Sequence, residues 1–453
     1  MTAPDLRSLE RAVRAPVRRD DEALRRAGGD ASHLRGVPAA VVAPVDSDDV
    51  VALVRWARAC RVPLVARGAG TSLDGESVPV DGAIAVDFGP WDRVEEVRAD
   101  ELVARAGPGT VNRALQEAVR PAGLFFPPNP GSGATSTIGG HVATNASGPR
   151  SFRYGPTRAW IRTLEVVLGT GERLAVGTRA AKRSAGPDLL GLLVGSEGTL
   201  GLVTDVTVRL APLPPVRRGL SVPLPDDVTL GAVATRLAGT ALTGLSAVEY
   251  VDRKTAGELA RLGRPIGATD AALLLLEIEA DDRPDADARS SRVAATLQAV
   301  GVGTAPTVFE DADELWGRRG ESGVALDRRL GHRIREDVAV PVGRLDPLVA
   351  ALHRIADDEG VPLYLYAHLG EGSLHPNFAV DPASAVGARV RARTLTAALE
   401  LGGTISAEHG IGRLKREFVG RELGPVAIDW LRSVKQWCDP DGILNPGKLY
   451  PFS

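Results

Sequence analysis

The sequence predicts an α+β protein of two principal domains, and three observations carry that prediction. The chain has 453 residues, enough for two or three hydrophobic cores. Its N-terminal half alternates short strand-like runs with amphipathic helices, punctuated by glycine. After a proline-rich break, "RLAPLPPVRRG" at 209–219, helices interleave with longer apolar runs, the pattern of helices packed on an antiparallel sheet.

Each element has a local cause. "DSDDVVALVRWARACRV" places Val50, Val51, Leu53, Val54 and Ala57 on one helical face, with Ser47 as the expected N-cap. "PLVARG" is a strand running into the loop "GAGTSLDG", and "GAIAVDF" is a second strand. "ELVARAGPGTVNRALQEAV" reads as strand, glycine turn and helix; "TLEVVLGTGERLAV" reads as a hairpin turning at Gly169 to Glu172. Beyond the break, "VTLGAVATRLAG" and "RSSRVAATLQAVG" are helical, and "LSAVEYV", "AALLLLEIEA" and "APTVFED" are strands. "LDPLVAALHRIADDEG" is a helix with Asp346 as N-cap and Pro347 in its first turn, leading into the strand "VPLYLYAHL". The expected division is a helical extension at 1–37, a first domain at 38–215, a second at 216–425, and a segment at 426–453 that returns to the first.

Composition narrows the function. With 44% hydrophobic and 25% charged residues and a net charge of -3, the chain reads as a globular protein whose charge suggests neither nucleic acid nor an acidic membrane as partner. The longest apolar run, "AALLLL", is far short of the roughly 18 residues a membrane span needs. The arginine-rich first 26 residues also carry Asp5, Glu10, Asp20, Asp21 and Glu22, unlike a transit peptide. Two cysteines, Cys60 and Cys438, fit a reducing compartment and exclude an all-cysteine metal framework. A cytoplasmic protein is expected, with peripheral attachment to the inner membrane face left open.

Three glycine segments suggest one long ligand. "RGAGTSLDG" at 67–75 follows a strand and leaves backbone N–H groups to converge on an anion such as a pyrophosphate. It is neither a P-loop nor the GxGxxG fingerprint, and alone it could be a tight turn. "PPNPGSGATSTIGGHVATNASG" at 127–148 and "GSEGTLGLVT" at 195–204 follow. Glycine carries a folding-entropy cost, so three such runs make sense where backbone must lie against a ligand. The stretch "YLYAHLGEGSLHPNF" at 364–378 adds two of the seven histidines, His368 and His375, on a hairpin. Two hydrogen-bonded histidines flanking a turn, or two ligands of a metal, both fit that pattern.

Eight motifs in order, among them "RGAGTSLDG", "NPGSGATSTIGGHVATNASG", "DLLGLLVGSEGTLGLVT", "EDVAVP", "HLGEGSLH", "SAEHGIG" and "DPDGILNPGK", give the chain a family likeness from about Pro38 to Lys448. It resembles the FAD-linked oxidases and dehydrogenases of the vanillyl-alcohol-oxidase-like superfamily, in the branch of D-lactate dehydrogenase, the glycolate oxidase flavin subunit and D-2-hydroxyglutarate dehydrogenase. The resemblance implies a two-part FAD-binding domain of the p-cresol methylhydroxylase (PCMH) type and an α+β cap domain with an antiparallel sheet. Arg67, Gly68, Ala69, Gly70, Thr71 and Ser72 would bind the FAD pyrophosphate. Asn129, Ser132, Thr137, Gly139, Gly140, Asn145 and Gly148 would line the rest, with Glu197, Gly198, Gly201 and Val203 in the third segment and Asn445 at the C-terminus. Covalent members use a histidine in the first loop; none is there, so non-covalent FAD is expected.

The same resemblance places a divalent metal at His368, His375 and Glu408, zinc first, with manganese or ferrous iron as alternatives. Glu371 and Ser373 stand where the family has Asp and Asn. His409 would be the general base that takes the proton of a metal-bound 2-hydroxy acid, with hydride passing to the flavin. The segment "ELWGRRGESGVALDRRLGHRIREDVAVP" holds Arg318, Arg319, Arg328, Arg329, Arg333 and Arg335. Most read as a solvated basic face. Arg319, one helical turn after Trp316, and Arg335 match carboxylate-binding positions, and Asn377 a further substrate contact. A D-2-hydroxy acid of the lactate, glycolate or 2-hydroxyglutarate class would be oxidised to the 2-oxo acid. Electrons would leave to a quinone, an electron-transfer protein or oxygen, and homodimerisation is left open. Two alternatives stand beside this: a flavin subunit active only within an electron-transfer complex, and a flavin-free metal-dependent hydrolase or binding protein.

Overall fold

A crossover of parallel strands begins the first unit. The computed structural model describes residues 4–239 and 244–452, so the first three residues of the expected N-terminal extension lie outside them. Strands β1 (Val17–Arg18), β2 (Ala40–Val42), β3 (Leu64–Arg67) and β4 (Ile84–Asp87) form a sheet of order β1-β2-β4-β3. β2, β4 and β3 are parallel neighbours, which requires a crossover connection. The helix Ser47–Cys60 supplies it and buries Val50, Leu53, Val54 and Ala57. Its N-cap is Asp46 and not Ser47: the Asp46 backbone is extended, and its carboxylate accepts the Asp49 amide at 3.0 Å.

The next strands are β5 (Val94–Arg98), β6 (Val103–Ala106), β7 (Leu124–Phe125), β8 (Ile161–Val167), β9 (Arg173–Gly177), β10 (Leu202–Arg209) and β11 (Ala211–Pro212). Five make an antiparallel sheet of order β5-β6-β10-β8-β9, and β7 pairs with β11. The N-terminal stretch is built into this unit: Leu9 is fully buried in the core around the crossover helix, and β1 extends the first sheet. The C-terminus returns to the same core, with Leu64 donating to the Ile443 carbonyl and Asn445 to the Leu64 carbonyl, both at 2.8 Å.

The second unit is one eight-stranded antiparallel sheet with helices. Its strands are β12 (Val216–Leu224), β13 (Leu245–Val251), β14 (Ala272–Ala280), β15 (Thr307–Phe309), β16 (Ile334–Arg335), β17 (Val338–Ala339), β18 (Leu363–His368) and β19 (Ser373–Phe378). The order is β15-β12-β14-β13-β18-β19-β16, with β17 also on β19. The helix Leu345–Glu359 starts without a side-chain cap of its own. Asp346 instead takes the Leu230 and Gly231 amides, at 2.8 and 3.0 Å, and so caps the neighbouring helix Leu230–Gly239.

The units divide as Met1–Ser147, Pro156–Leu213 and Glu408–Ser453 against Gly148–Gly155 and Pro214–Ala407. Two boundaries differ from the expected ones, for traceable reasons. Arg150 donates to Glu277 at 3.1 Å and Tyr154 to Glu279 at 2.7 Å, which ties their segment to β14. After Ala407 the chain is held by the first unit: the Arg413 amide donates to the Asp74 carbonyl at 2.8 Å, and Lys415 lies 3.1 Å from the Asp74 carboxylate. Among the described residues, no helix is long and apolar enough to cross a membrane.

Candidate functional site

In the first unit the three glycine segments line one cavity of about 670 Å³, counted with its open mouth. Of the expected cofactor residues, Arg67, Gly68, Ser72, Thr137, Gly139, Gly140, Glu197, Gly198, Gly201 and Val203 face it. Gly68 must be glycine, because a Cβ there would sit 2.2 Å from the Thr137 hydroxyl. That approach joins the first loop to the second, where Thr137 caps the helix Ile138–Thr144 by accepting the Gly140 amide at 3.2 Å. Gly70 has φ +70°, a conformation that side chains disfavour. Arg67 folds over this loop and donates to the Gly29 carbonyl at 2.6 Å. A glycine-walled cleft with a buried guanidinium fits a large phosphate-bearing cofactor.

Ala69, Gly70, Thr71, Asn129, Ser132, Asn145 and Asn445 stand outside the lining, and Gly148 falls in the second unit. Several of them are braces. Asn129 accepts the Asn112 amide group at 2.9 Å, and Asn145 ends the Ile138–Thr144 helix in a left-handed conformation while accepting the Arg158 amide at 2.9 Å. Asn445 donates to the carbonyls of Glu76 at 3.0 Å and Glu197 at 2.6 Å, and accepts from Lys448 at 2.7 Å. It pins two cavity walls together. Sequence reading missed Glu76, Ser77, Phe88, Pro108, Ala143, Thr144, Leu193 and Ser196 in the lining. The signal for Glu76 was there: an acid one residue after the first glycine loop.

Glu76 and Glu197 face one point. A Cβ on Gly410 would lie 2.7 Å from Glu76 Oε1 and 3.0 Å from Glu197 Oε1. Glu197 accepts the amides of Ile411 at 2.6 Å and Gly412 at 2.9 Å, so it holds the turn that follows His409. Burial, then the neighbouring charges of Glu197 and Asp74, pushes the Glu76 carboxyl well above its ordinary range. Burial pushes Glu197 up to about 7 against those two amide bonds. In the same unit Glu408 accepts from the Ser147 hydroxyl at 2.7 Å, and His409 Nε2 lies 4.0 Å from its carboxylate.

The second unit holds the histidine hairpin. β18 ends at His368 as expected; β19 begins at Ser373, two residues before His375. The register sets Tyr366 opposite His375 and His368 opposite Ser373, which brings both imidazoles to one face of the pair. Their rings lie 4.9 Å apart, edge to face. His368 Nδ1 contacts the Glu249 carboxylate, and His375 Nδ1 lies 3.4 Å from Asp337. With Nδ1 of each ring turned to a carboxylate, Nε2 is the nitrogen suited to a cation. This donor set fits a divalent metal. At the loop, Glu371 accepts from Ser151 at 2.7 Å, while the Ser373 hydroxyl is buried without a hydrogen bond.

The arginine run forms two helices, Ala312–Gly320 and Ser322–Leu330, followed by β16. Arg319 is buried; it donates to Glu249 at 2.9 Å and lies 4.5 Å from the centre of the Tyr366 ring. Arg335 sits opposite Asn377 in the β16–β19 register, 3.7 Å from Asp327. Arg328 is exposed, as a solvated face requires. Arg333 is the exception to that reading. It is 3% exposed and donates to Asn377 Oδ1 at 2.9 Å, while Asn377 Nδ2 donates to the His375 carbonyl at 2.9 Å. Asn377 thus locks the strand that carries His375. The sequence signals missed here are Glu249, an acid within the apolar strand "LSAVEYV", and Asp337 within "EDVAVP".

Known proteins resemble this chain in sequence and in fold. Residues 38–177 match the FAD binding domain, and residues 213–449 match the C-terminal domain of FAD linked oxidases. The chain belongs to the FAD-linked oxidases. This FAD-linked oxidase is 34% identical over 428 residues to the glycolate oxidase subunit GlcD of Bacillus subtilis, covering 92% of this chain and 90% of the relative. It is 34% identical over 412 residues to the D-lactate dehydrogenase of Archaeoglobus fulgidus, covering 90% of each. It is 30% identical over 449 residues to the D-2-hydroxyglutarate dehydrogenase of Stutzerimonas stutzeri, covering 95% of each. Among solved structures, p-cresol methylhydroxylase superposes with a TM-score of 0.79 at 15% identity, covering 96% of this chain and 93% of that one. The 4-ethylphenol oxidase of Gulosibacter chungangensis gives 0.78 at 20%, covering 96% and 94%. These likenesses bear out the expected fold class, a PCMH-type FAD-binding fold with a mixed α/β cap, and the chain is an FAD-linked oxidoreductase.

Proposed function

We propose that this FAD-linked oxidase converts a D-2-hydroxy acid of the lactate, glycolate or 2-hydroxyglutarate class to the 2-oxo acid. The observation that carries the reading is the hairpin: two buried histidines on one face, each backed by a carboxylate, in a chain whose relatives bear hydroxy-acid names. FAD, held without a covalent bond in the glycine-walled cavity, and a divalent cation, zinc before manganese or iron, supply hydride acceptance and polarisation of the substrate hydroxyl when bound. His368, His375 and Glu408 are the proposed ligands. Ala407 supports the third: its amide is held by Asp337 at 2.9 Å, and Glu408 is the next residue in the chain.

His409 accepts the hydroxyl proton. Imidazole suits that task, because its protonation equilibrium lies near neutral pH. Arg319 and Arg335 receive the substrate carboxylate, with Asn377 beside them; guanidinium gives a planar two-pronged donor that fits a carboxylate. Glu197 keeps the turn after His409 in place through the Ile411 and Gly412 amides. The partner that takes up the electrons is a quinone, an electron-transfer protein or oxygen.

The test is flavin bleaching under anaerobic conditions against a panel of D- and L-2-hydroxy acids. One or more D-acids should reduce the flavin, with their L-forms inert. A panel that leaves the flavin oxidised throughout, or bleaching by L-acids alone, refutes the reading.

A further inference from the structure

Glu249 is a charge placed where a strand would otherwise be apolar. It lies in β13 between Val248 and Tyr250, and is fully buried. Burying a carboxylate is unfavourable unless its oxygens are matched by charged donors. Both oxygens of Glu249 are so matched, and by two different functional groups. Oε1 contacts His368 Nδ1, and Oε2 accepts from Arg319 Nη2 at 2.9 Å. Arg319 in turn lies against the Tyr366 ring, whose centre is 5.2 Å from that of His375. Asp337 makes a narrower match. It is fully buried, faces His375 Nδ1 at 3.4 Å, and spends its other oxygen on the Ala407 amide at 2.9 Å and the Ser406 hydroxyl at 3.3 Å.

We propose that Glu249 is a positioning residue shared by a metal ligand, His368, and the carboxylate-reading Arg319, so that one buried carboxylate couples metal affinity to the state of the substrate arginine. The inference rests on the metal reading above. A carboxylate that accepts from Nδ1–H selects the tautomer with its lone pair on Nε2 and makes that nitrogen a stronger donor. Arg319 draws on the same carboxylate, and so weakens the push on His368. Removing the arginine's charge should therefore strengthen the metal site, through the Glu249 carboxylate that Arg319 contacts. Removing the carboxylate's charge should weaken the site and make it indifferent to Arg319.

The experiment measures Zn²⁺ affinity of the FAD-loaded protein, stripped with a chelator and titrated in competition with a chromophoric chelator. Flavin absorbance and a thermal melt confirm that each variant is folded. Glu249→Gln, which keeps shape and loses charge, should bind Zn²⁺ about 10–100-fold more weakly than wild type. Arg319→Met should bind it more tightly in the wild-type background and leave it unchanged in the Glu249→Gln background. Wild-type affinity in Glu249→Gln overturns the proposal, as does an Arg319→Met effect of the same size in both backgrounds. Should Glu249→Gln fail to fold, Arg319→Met alone decides, because an unchanged or weaker affinity contradicts a shared carboxylate. A wild-type protein that takes up no Zn²⁺, Mn²⁺ or Fe²⁺ refutes the metal reading itself, and is told apart from these outcomes by that control.

Discussion

Changing Glu197 to Gln should flatten one part of the protein's stability–pH curve. Burial holds the Glu197 carboxyl at about 7, against an ordinary value of 4.5. Between those two values the folded chain binds a proton that the unfolded chain has released. Stability therefore falls as pH rises through that window. From pH 5 to pH 7 the contribution lost is about 2 kcal/mol, at about 1.4 kcal/mol for each pH unit of proton linkage. His141 works the other way: burial holds it at about 4 against 6.5, so its contribution rises with pH between those values. The informative quantity is the difference between wild type and variant, in which the histidine cancels and which reports Glu197 together with Glu76, whose carboxyl the Glu197 charge also pushes up. Gln can accept only one of the Ile411 and Gly412 amides, which adds a constant loss of about 1–3 kcal/mol. Thermal melts at pH 5 and pH 7 should show the gap between the two proteins closing by about 2 kcal/mol as pH rises. Parallel curves would show that Glu197 ionises normally and would refute the raised carboxyl.

Acid precipitation should release the flavin to the supernatant, since the first glycine loop has no histidine; colour that stays with the pellet contradicts non-covalent binding. Arg319→Ala should unfold at lower temperature and lose 2-hydroxy-acid use, because it strands the fully buried Glu249, a loss of about 3–5 kcal/mol. Arg335→Ala should impair substrate use, and exposed Arg328→Ala should change neither property by more than about 0.5 kcal/mol; equal small effects at all three positions would remove the carboxylate assignment. His409→Asn should keep FAD and metal yet slow flavin reduction by about 10²–10⁴-fold, whereas an altered KM alone would assign His409 to binding.

The fold was legible wherever a local signal had no competitor. The crossover helix declared itself by the spacing of Val50, Leu53, Val54 and Ala57, and the hairpin by two apolar runs around "GEG". Caps were harder, because several acids near a helix start can each serve. Asp46 displaced Ser47, and Asp346 went to another helix whose amides it could reach only in three dimensions. Contacts that tie a segment to one unit were hidden for a related reason. Arg150 and Tyr154 are indistinguishable from loop residues until Glu277 and Glu279 are seen beneath them. Arginine spacing likewise gave no means of separating Arg333, which is buried against Asn377, from its exposed neighbour Arg328.

Buried acids in the cap sheet show how structural and functional charges differ even on paired strands. β13 and β14 pair antiparallel, with Ala247 opposite Glu277 and Glu249 opposite Leu275. Glu277 gathers Arg150, Arg217, Ser246 and Trp316, and Asp313 lies 2.8 Å from Arg217. Burial opposes its charge, but Arg150 and Arg217 hold the carboxyl down to about 2. These partners of Glu277 belong to the framework, and through Arg150 they bind the 148–155 segment to the sheet. Glu249 has one arginine and one histidine, Arg319 and His368, the two groups proposed above to meet the substrate carboxylate and the metal. A framework network of this kind can be replaced by packed apolar side chains with little loss, since burial of paired charges roughly cancels its own attraction. On the proposed reading of His368 as a metal ligand, the Glu249 network cannot be replaced in that way, because its charge would set the donor strength of the ring. That difference explains why an acid in a strand such as "LSAVEYV" should be read as a candidate for the site before it is read as a fault in the core.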